Sequence, residues 1–304
     1  MIRSSSTSAA SALRSRADDR RGLAPARAGG DSLGRLPIHI VLVVVMLAWA
    51  IPSLSVVVTS VRPPTDIAST GWWTFFTNPH LTLDNYSAVV SQLGFAKAFV
   101  NSFLITVPST VLPIALAALA AYGFAWLRFP GRDALFLAVV ALMVVPIQTA
   151  FVPALQIFKG LGIGSSFLAI WIAHTTFALP FAIFLLRSFM VQLPPELLES
   201  AQIDGASSLR IFRSIILPLS RPAIASLAVL QFLWVWNDLL MALIFIQRDD
   251  MYPLTNATAR LLSTYGQSFN YLSSSAVLLM IVPVIVFVAL QRQFVRGIVA
   301  GSVK

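Results

Sequence analysis

The chain contains no cysteine, which excludes disulfide staples, thiolate metal sites and a thiol nucleophile, and leaves the redox compartment unread. Charge is scarce as well. Only 11% of the 304 residues are Asp, Glu, Lys or Arg, against about 25% in an ordinary soluble domain. No Gly-x-x-x-x-Gly-Lys-Ser/Thr string occurs, so there is no Walker A loop to cradle a nucleotide. Gly160-Leu-Gly-Ile-Gly164 is glycine-rich, but it lacks the strand-loop-helix setting and reads as a tight turn. The three histidines, His39, His80 and His174, stand in separate segments without metal-ligand spacing, so no metal site is expected. No apolar run carries the paired acids of an intramembrane hydrolase, an Arg-rich voltage sensor or a filter-like loop, and no catalytic residue is assigned.

What the chain has in abundance is apolar length. Hydrophobic residues make up 57% of it, and a bilayer core needs about 20 consecutive apolar residues per helix. Runs of that kind fall at 38–61, 98–127, 134–158, 165–190, 223–246 and 274–294. The fold expected is therefore all-α, a polytopic bundle of six transmembrane spans, with Pro108 and Pro113 as candidate kinks in the second. A transmembrane domain over 38–294 is flanked by a basic arm (1–37) and a short tail (295–304).

An even number of spans puts both termini on one face. That face collects 16 of the 21 basic residues, leaving Arg62, Lys97, Lys159, Arg248 and Arg260 on the other. The positive-inside rule therefore makes both termini cytoplasmic. The formal charge of +9 orients the chain in a lipid bilayer and does not call for nucleic acid. The Arg- and Ser-rich arm cannot bury a core and reads as disordered; Asp18 and Asp19 argue against a transit peptide. Trp72, Trp73, Phe75 and Phe76, in the largest external loop, read as an interfacial anchor, with partner docking as the rival use.

The most informative segment lies between spans four and five, at 193–218. Pro195 opens a short helix, Glu196 and Glu199 complement its positive end, and Gly205 supplies a left-handed stop after Asp204. Ser207 or Ser208 can cap a second helix, carrying Arg210 and Arg213, which Pro218 is expected to halt. On physics alone this elbow is either a cover for the bundle ends or a lever for a partner's groove.

Glu199-Ser200-Ala201, three residues, Gly205, nine residues, Ile215, one residue and Leu217-Pro218 resemble the E-A-A-x3-G-x9-I-x-L-P signature of binding-protein-dependent ABC importer permeases. The only departure is Ser200 for the first alanine. The likeness runs from about Ile38 to Lys304 and is nearest to the carbohydrate-uptake branch, maltose-type second permease subunits in particular. It includes Leu83-Asp-Asn-Tyr86, Asn101-Ser-Phe103, Ala120-Ala-Tyr-Gly-Phe-Ala125, Phe184-Leu-Leu-Arg187, Trp236-Asn-Asp238 and the tail from Gln291 to Lys304. The resemblance implies a second permease chain, two ATPase subunits that hold ATP and Mg, and an extracytoplasmic solute-binding protein that delivers a sugar, in a bacterial cell membrane. This chain itself then needs no cofactor. It also implies that Glu199, Ser200, Ala201, Asp204, Gly205, Ile215, Leu217 and Pro218 couple to the ATPase, with Gln291, Arg292 and Lys304 as a second contact. A polyol or glycerol phosphate is the alternative cargo, and a self-contained secondary transporter the alternative machine.

Within the spans, Asp238 costs about 2.5 to 3.5 kcal/mol at a helix centre and must face water or the bundle interior. Asn237, Asp238, Trp234, His174 and Gln148 are the candidate lining of the pathway or its gate. Trp234 and Trp236 offer faces to a sugar ring, although core packing is the commoner use.

Overall fold

The structure is a computed structural model that describes residues 31–264 and 268–300. Residues 1–30 of the arm and Lys304 lie outside the described residues. Among those described, all regular structure is helical. Helix α1 (Asp31–Ser60) begins ahead of the expected residue 38, so the end of the arm is helical. The chain forms two compact units, 1–54 and 55–304. In the first, α1 is apolar all round and exposed, with Trp49 at 79%; such a helix needs lipid or another chain against it.

The second unit contains α2 (Phe95–Trp126), α3 (Arg132–Val144), α4 (Ile147–Gly160), α5 (Phe167–Met190), α6 (Glu196–Ile203), α7 (Ser208–Leu219), α8 (Arg221–Trp236), α9 (Leu240–Phe245), α10 (Leu254–Thr264) and α11 (Phe269–Ala300). Four helices are long and apolar enough to cross a membrane: α1, α2, α5 and α11. Two bent pairs, α3 with α4 and α7 with α8, make six if each is one span. Helix α2 stays a single helix across Pro108 and Pro113.

Two spans expected to be continuous are broken. The run at 134–158 bends by 95° between α3 and α4. Pro146 lacks an amide donor and drives Val145 into an extended conformation (ψ 123°), which ends the ladder. The run at 223–246 also divides: α8 stops at Trp236, and α9 starts at Leu240 after Asn237-Asp238-Leu239. At 16 residues α8 is about 24 Å long, short of a bilayer core of about 30 Å.

Helices α2 and α5 form the spine. Ala117, Ala118 and Ala121 on α2 are buried with Ala182 and Leu186 on α5; small residues let the backbones approach where lipid gives no hydrophobic drive. Indole, carboxamide and guanidinium groups pin neighbours at specific carbonyls. Trp171 Nε1 donates to Leu104 O (2.9 Å), Gln231 Nε2 to Ser109 O (3.2 Å) and Trp236 Nε1 to Leu279 O (3.0 Å). Arg187 donates to Phe124 O (3.3 Å) and lies over the Phe136 ring, joining α5 to α2 and α3.

The long loop after α1 is tied down by Asn85 of the Leu83–Tyr86 segment. Its amide donates to Ser60 O (3.0 Å) and Arg62 O (2.9 Å) and accepts from Asn270 on α11 (3.1 Å). The buried Arg62 guanidinium in turn holds Asp66 O, Thr70 and Thr74. On that base Trp73 and Phe76 project, each 64% exposed.

Overfilling the α2–α5 seam tests this account. Ala121→Leu, at a position with no exposure, should cost about 1–3 kcal/mol and lower the thermal midpoint in detergent. Ala115→Leu on the exposed face of the same helix should leave that midpoint where it is.

Candidate functional site: the elbow at 193–218

The local chemistry of the elbow shapes it before any packing does. Pro195 (φ −63°) precedes the first residue of α6, one position outside the helix it opens. At the other end Gly205 adopts φ +75°, a left-handed conformation that costs other residues about 1–2 kcal/mol. Its N–H bonds Gln202 O (3.0 Å) while Ala206 N–H bonds Ala201 O (2.9 Å), the paired pattern of a Schellman cap. Of the two candidate caps for α7 it is Ser207 whose hydroxyl accepts from Arg210 N–H (3.4 Å). Pro218 does not halt α7. The helix runs to Leu219 because the turn before the proline, Phe212–Ile216, is a π turn closed by Leu217 N–H to Phe212 O. The ladder is thus already out of α register where the proline drops its donor. The break comes at buried Ser220, with a 72° bend into α8.

The elbow has two faces. Leu198, Ile211, Phe212 and Ile216 are buried in the same cluster as Ala117, Ala121 and Leu186, and Ala201, Ile215 and Leu217 pack against it. Tyr122 of α2 meets Phe212 at 5.3 Å between ring centroids. The elbow is therefore rooted in the α2–α5 spine, and Ala201, Ile215 and Leu217 of the signature face inward, with Pro218 half-buried. Outward stand Glu199, Ser200, Asp204 and Gly205. Ser200 Oγ donates to Glu196 O (2.8 Å), and Glu199 makes no ion pair among the described residues. Ile203 lies within the Glu199–Gly205 stretch that the resemblance implies docks on the ATPase, but it carries no role of its own in that expectation. It is 86% exposed and lies about 140° around α6 from buried Leu198; that angular opposition between two apolar residues was the signal for it.

The candidate pathway residues are only partly brought together. His174 on α5 and Asp238 after α8 approach to 3.9 Å, both largely buried, an encounter between two helices that spacing along the chain does not reveal. Asp238 also accepts from Ala242 N–H (3.2 Å), capping α9, and its carbonyl accepts from Thr255 (2.9 Å). Trp234, 55% exposed, joins His174 and Gln231 around a cavity of about 20 Å³, room for one water. Asn237 is exposed and bonds back to Leu233 O (2.8 Å). Gln148 is exposed at the α3–α4 bend. Trp236 has no face to offer a sugar: it is buried, stacked on Phe232 and edge-on to Phe99 and Phe103.

Residues 113–300 match the family described as binding-protein-dependent transport system inner membrane component. The osmoprotective compounds uptake permease protein GgtD of Synechocystis sp. is 50% identical over 275 residues, covering 89% of this chain and 92% of that one. The alpha-glucoside transport system permease protein AglG of Rhizobium meliloti is 50% identical over 239 residues, 77% of this chain and 63% of that one. In fold, the chain is similar to a crystal structure of a bacterial ABC transporter involved in the import of the acidic polysaccharide alginate, with a TM-score of 0.75, 20% identity, and 89% and 100% of the two chains covered. The chain belongs to the inner-membrane permease components of binding-protein-dependent ABC importers, the subunits that carry no ATPase of their own.

Proposed function

We propose that this permease imports a carbohydrate, an α-glucoside first among them, and that it is driven through the elbow at 193–218 by two separate ATPase subunits. A second permease chain completes the pathway, and both termini lie in the cytoplasm. The division of the elbow carries this reading. One face is buried in the α2–α5 spine, while the other presents Glu199, Ile203 and Asp204, an apolar knob between two acids that suits a partner groove with a basic rim. A displacement imposed on the outer face moves Leu198, Ile211 and Ile216, and with them α2 and α5. Such coupling needs contacts that differ between the inward-facing and outward-facing states. The carbohydrate cargo is supported by the α-glucoside relative, and an osmoprotective solute is the second reading because of GgtD, which has the same identity and is matched over more of both chains.

The tail is a weaker contact with the ATPases in this proposal. Gln291 is exposed, with its amide on Val288 O (3.2 Å). The Arg292 side chain and Lys304 lie outside the described residues.

Glu199→Lys and Ile203→Asp should each reduce uptake at least tenfold while the chain remains in the membrane at normal amounts; unchanged uptake in both removes the coupling role of this face. Purification from native membranes in mild detergent should recover an ATPase, a second permease and a binding protein loaded with a saccharide. A chain that transports alone overturns the importer assembly. Asp238→Asn separates two roles, since Asn caps a helix as well as Asp does. A change in uptake or cargo preference at unchanged thermal stability assigns the Asp238 charge to the pathway, whereas wild-type transport assigns it to capping α9.

A further inference from the structure

At the opposite end of α2 from the elbow lies an open pocket of about 440 Å³, walled by the first turns of α2, the loop after α9, and α10. It is separated from the elbow cluster, which begins at Ala117, by half of that 32-residue helix, about 24 Å. Its walls are fixed by specific bonds. Asn101 donates to the carbonyls of Asp250 and Tyr252 (both 3.1 Å), and Leu254 N–H at the start of α10 donates to Ser102 Oγ (2.8 Å). Arg260 bonds Asp249 (3.1 Å) and lies over the Tyr252 ring at 4.8 Å.

The charges do not cancel. Arg260 answers Asp249, and Arg248 grips both oxygens of Asp250 (3.0 and 2.9 Å). That grip, helped by the more distant positive charge of Lys97, holds the Asp250 carboxyl below the ordinary carboxylate range. Lys97, exposed on the pocket wall, makes no ion pair within 4.0 Å among the described residues. The pocket thus combines a fixed frame, an aromatic wall at Tyr252 and one cation in excess.

We propose that this pocket is a socket for an acidic side chain of the extracytoplasmic solute-binding protein, with Lys97 as its charge partner. The proposal rests on the importer reading and on the orientation that places Lys97 outside. A family that depends on a binding protein must receive that protein on this face. The pocket is open and half polar, so a small free anion there would keep much of its hydration, whereas a carboxylate delivered on a folded protein arrives already positioned. A cation in such a place acts on encounter and register.

The test uses the complete transporter, with both permeases and the ATPases, in lipid nanodiscs, and measures its affinity for the saccharide-loaded binding protein. Lys97→Glu should weaken binding about tenfold, since like charges are then opposed, and Lys97→Arg should stay within about twofold of the wild type. Added salt should weaken the wild-type complex and leave the Lys97→Glu complex little changed. Equal affinity in Lys97→Glu and wild type overturns the socket, as does an equal loss in Lys97→Arg. Both of those results leave the importer reading intact. A wild-type complex that binds no extracytoplasmic protein overturns the importer reading and the socket together.

Discussion

In hydrocarbon there is no water to satisfy a free amide or carbonyl, so every departure from the helical ladder must be repaired from within the protein. The two breaks in this chain show that requirement at work. After α8, the backbone at Asn237-Asp238-Leu239 leaves the ladder, and repair comes from three directions: the Asp238 carboxylate takes Ala242 N–H, Thr255 donates to the Asp238 carbonyl, and Asn237 turns back to Leu233 O. At the α3–α4 bend, Thr149 donates by both its N–H and its hydroxyl to Pro146 O (3.1 and 2.8 Å). Irregular backbone inside an apolar run is tolerated only with such internal partners or beside a water-filled cavity.

The same constraint governs the elbow. It lies where the ladder has to reverse between two spans, and each of its polar ends is closed locally, by the Schellman pair at Gly205 and the Ser207 cap. Its apolar side chains are consequently free for another task, anchoring the elbow in the α2–α5 cluster. Glu199, Ile203 and Asp204 take no part in that anchoring. A surface built this way can be gripped from outside without loosening the bundle.

The sequence reveals much of this and conceals a definable remainder. Long apolar runs mark the spans because hydrocarbon demands length and apolarity, and the Pro, Gly and Ser punctuation of 193–218 marks both helices of the elbow. Hidden are the directions in which residues face. In a soluble helix polarity separates inside from outside; in α2 and α5 the lipid-facing and core-facing sides are equally apolar, so Ala117, Ala121, Ala182 and Leu186 could not be assigned inward from their spacing. The broken spans were concealed for a related reason. Pro146 and the Asn237-Asp238 pair sit inside apolar runs whose hydropathy continues on both sides, and composition alone reports a membrane crossing whether or not the helix persists. The approach of His174 to Asp238 depends on how α5 meets the end of α8, which no periodicity encodes.

Helix α2 gives these parts a common frame. Its last turns, from Ala117 to Phe124, hold the elbow cluster. Its middle bonds α5 and α8, through Leu104 O and Ser109 O. Its first turns, through Asn101 and Ser102, hold the loop after α9 and the start of α10. A rigid helix with partners at both ends and in the middle cannot be displaced at one end alone unless it bends, and Pro108 and Pro113, each unable to donate in the ladder, lie between the two ends. The chain therefore places its points of least backbone resistance between the elbow and the opposite pocket. Two such points within one continuous helix let the ends change angle relative to each other while the packed alanines near the elbow keep their contacts.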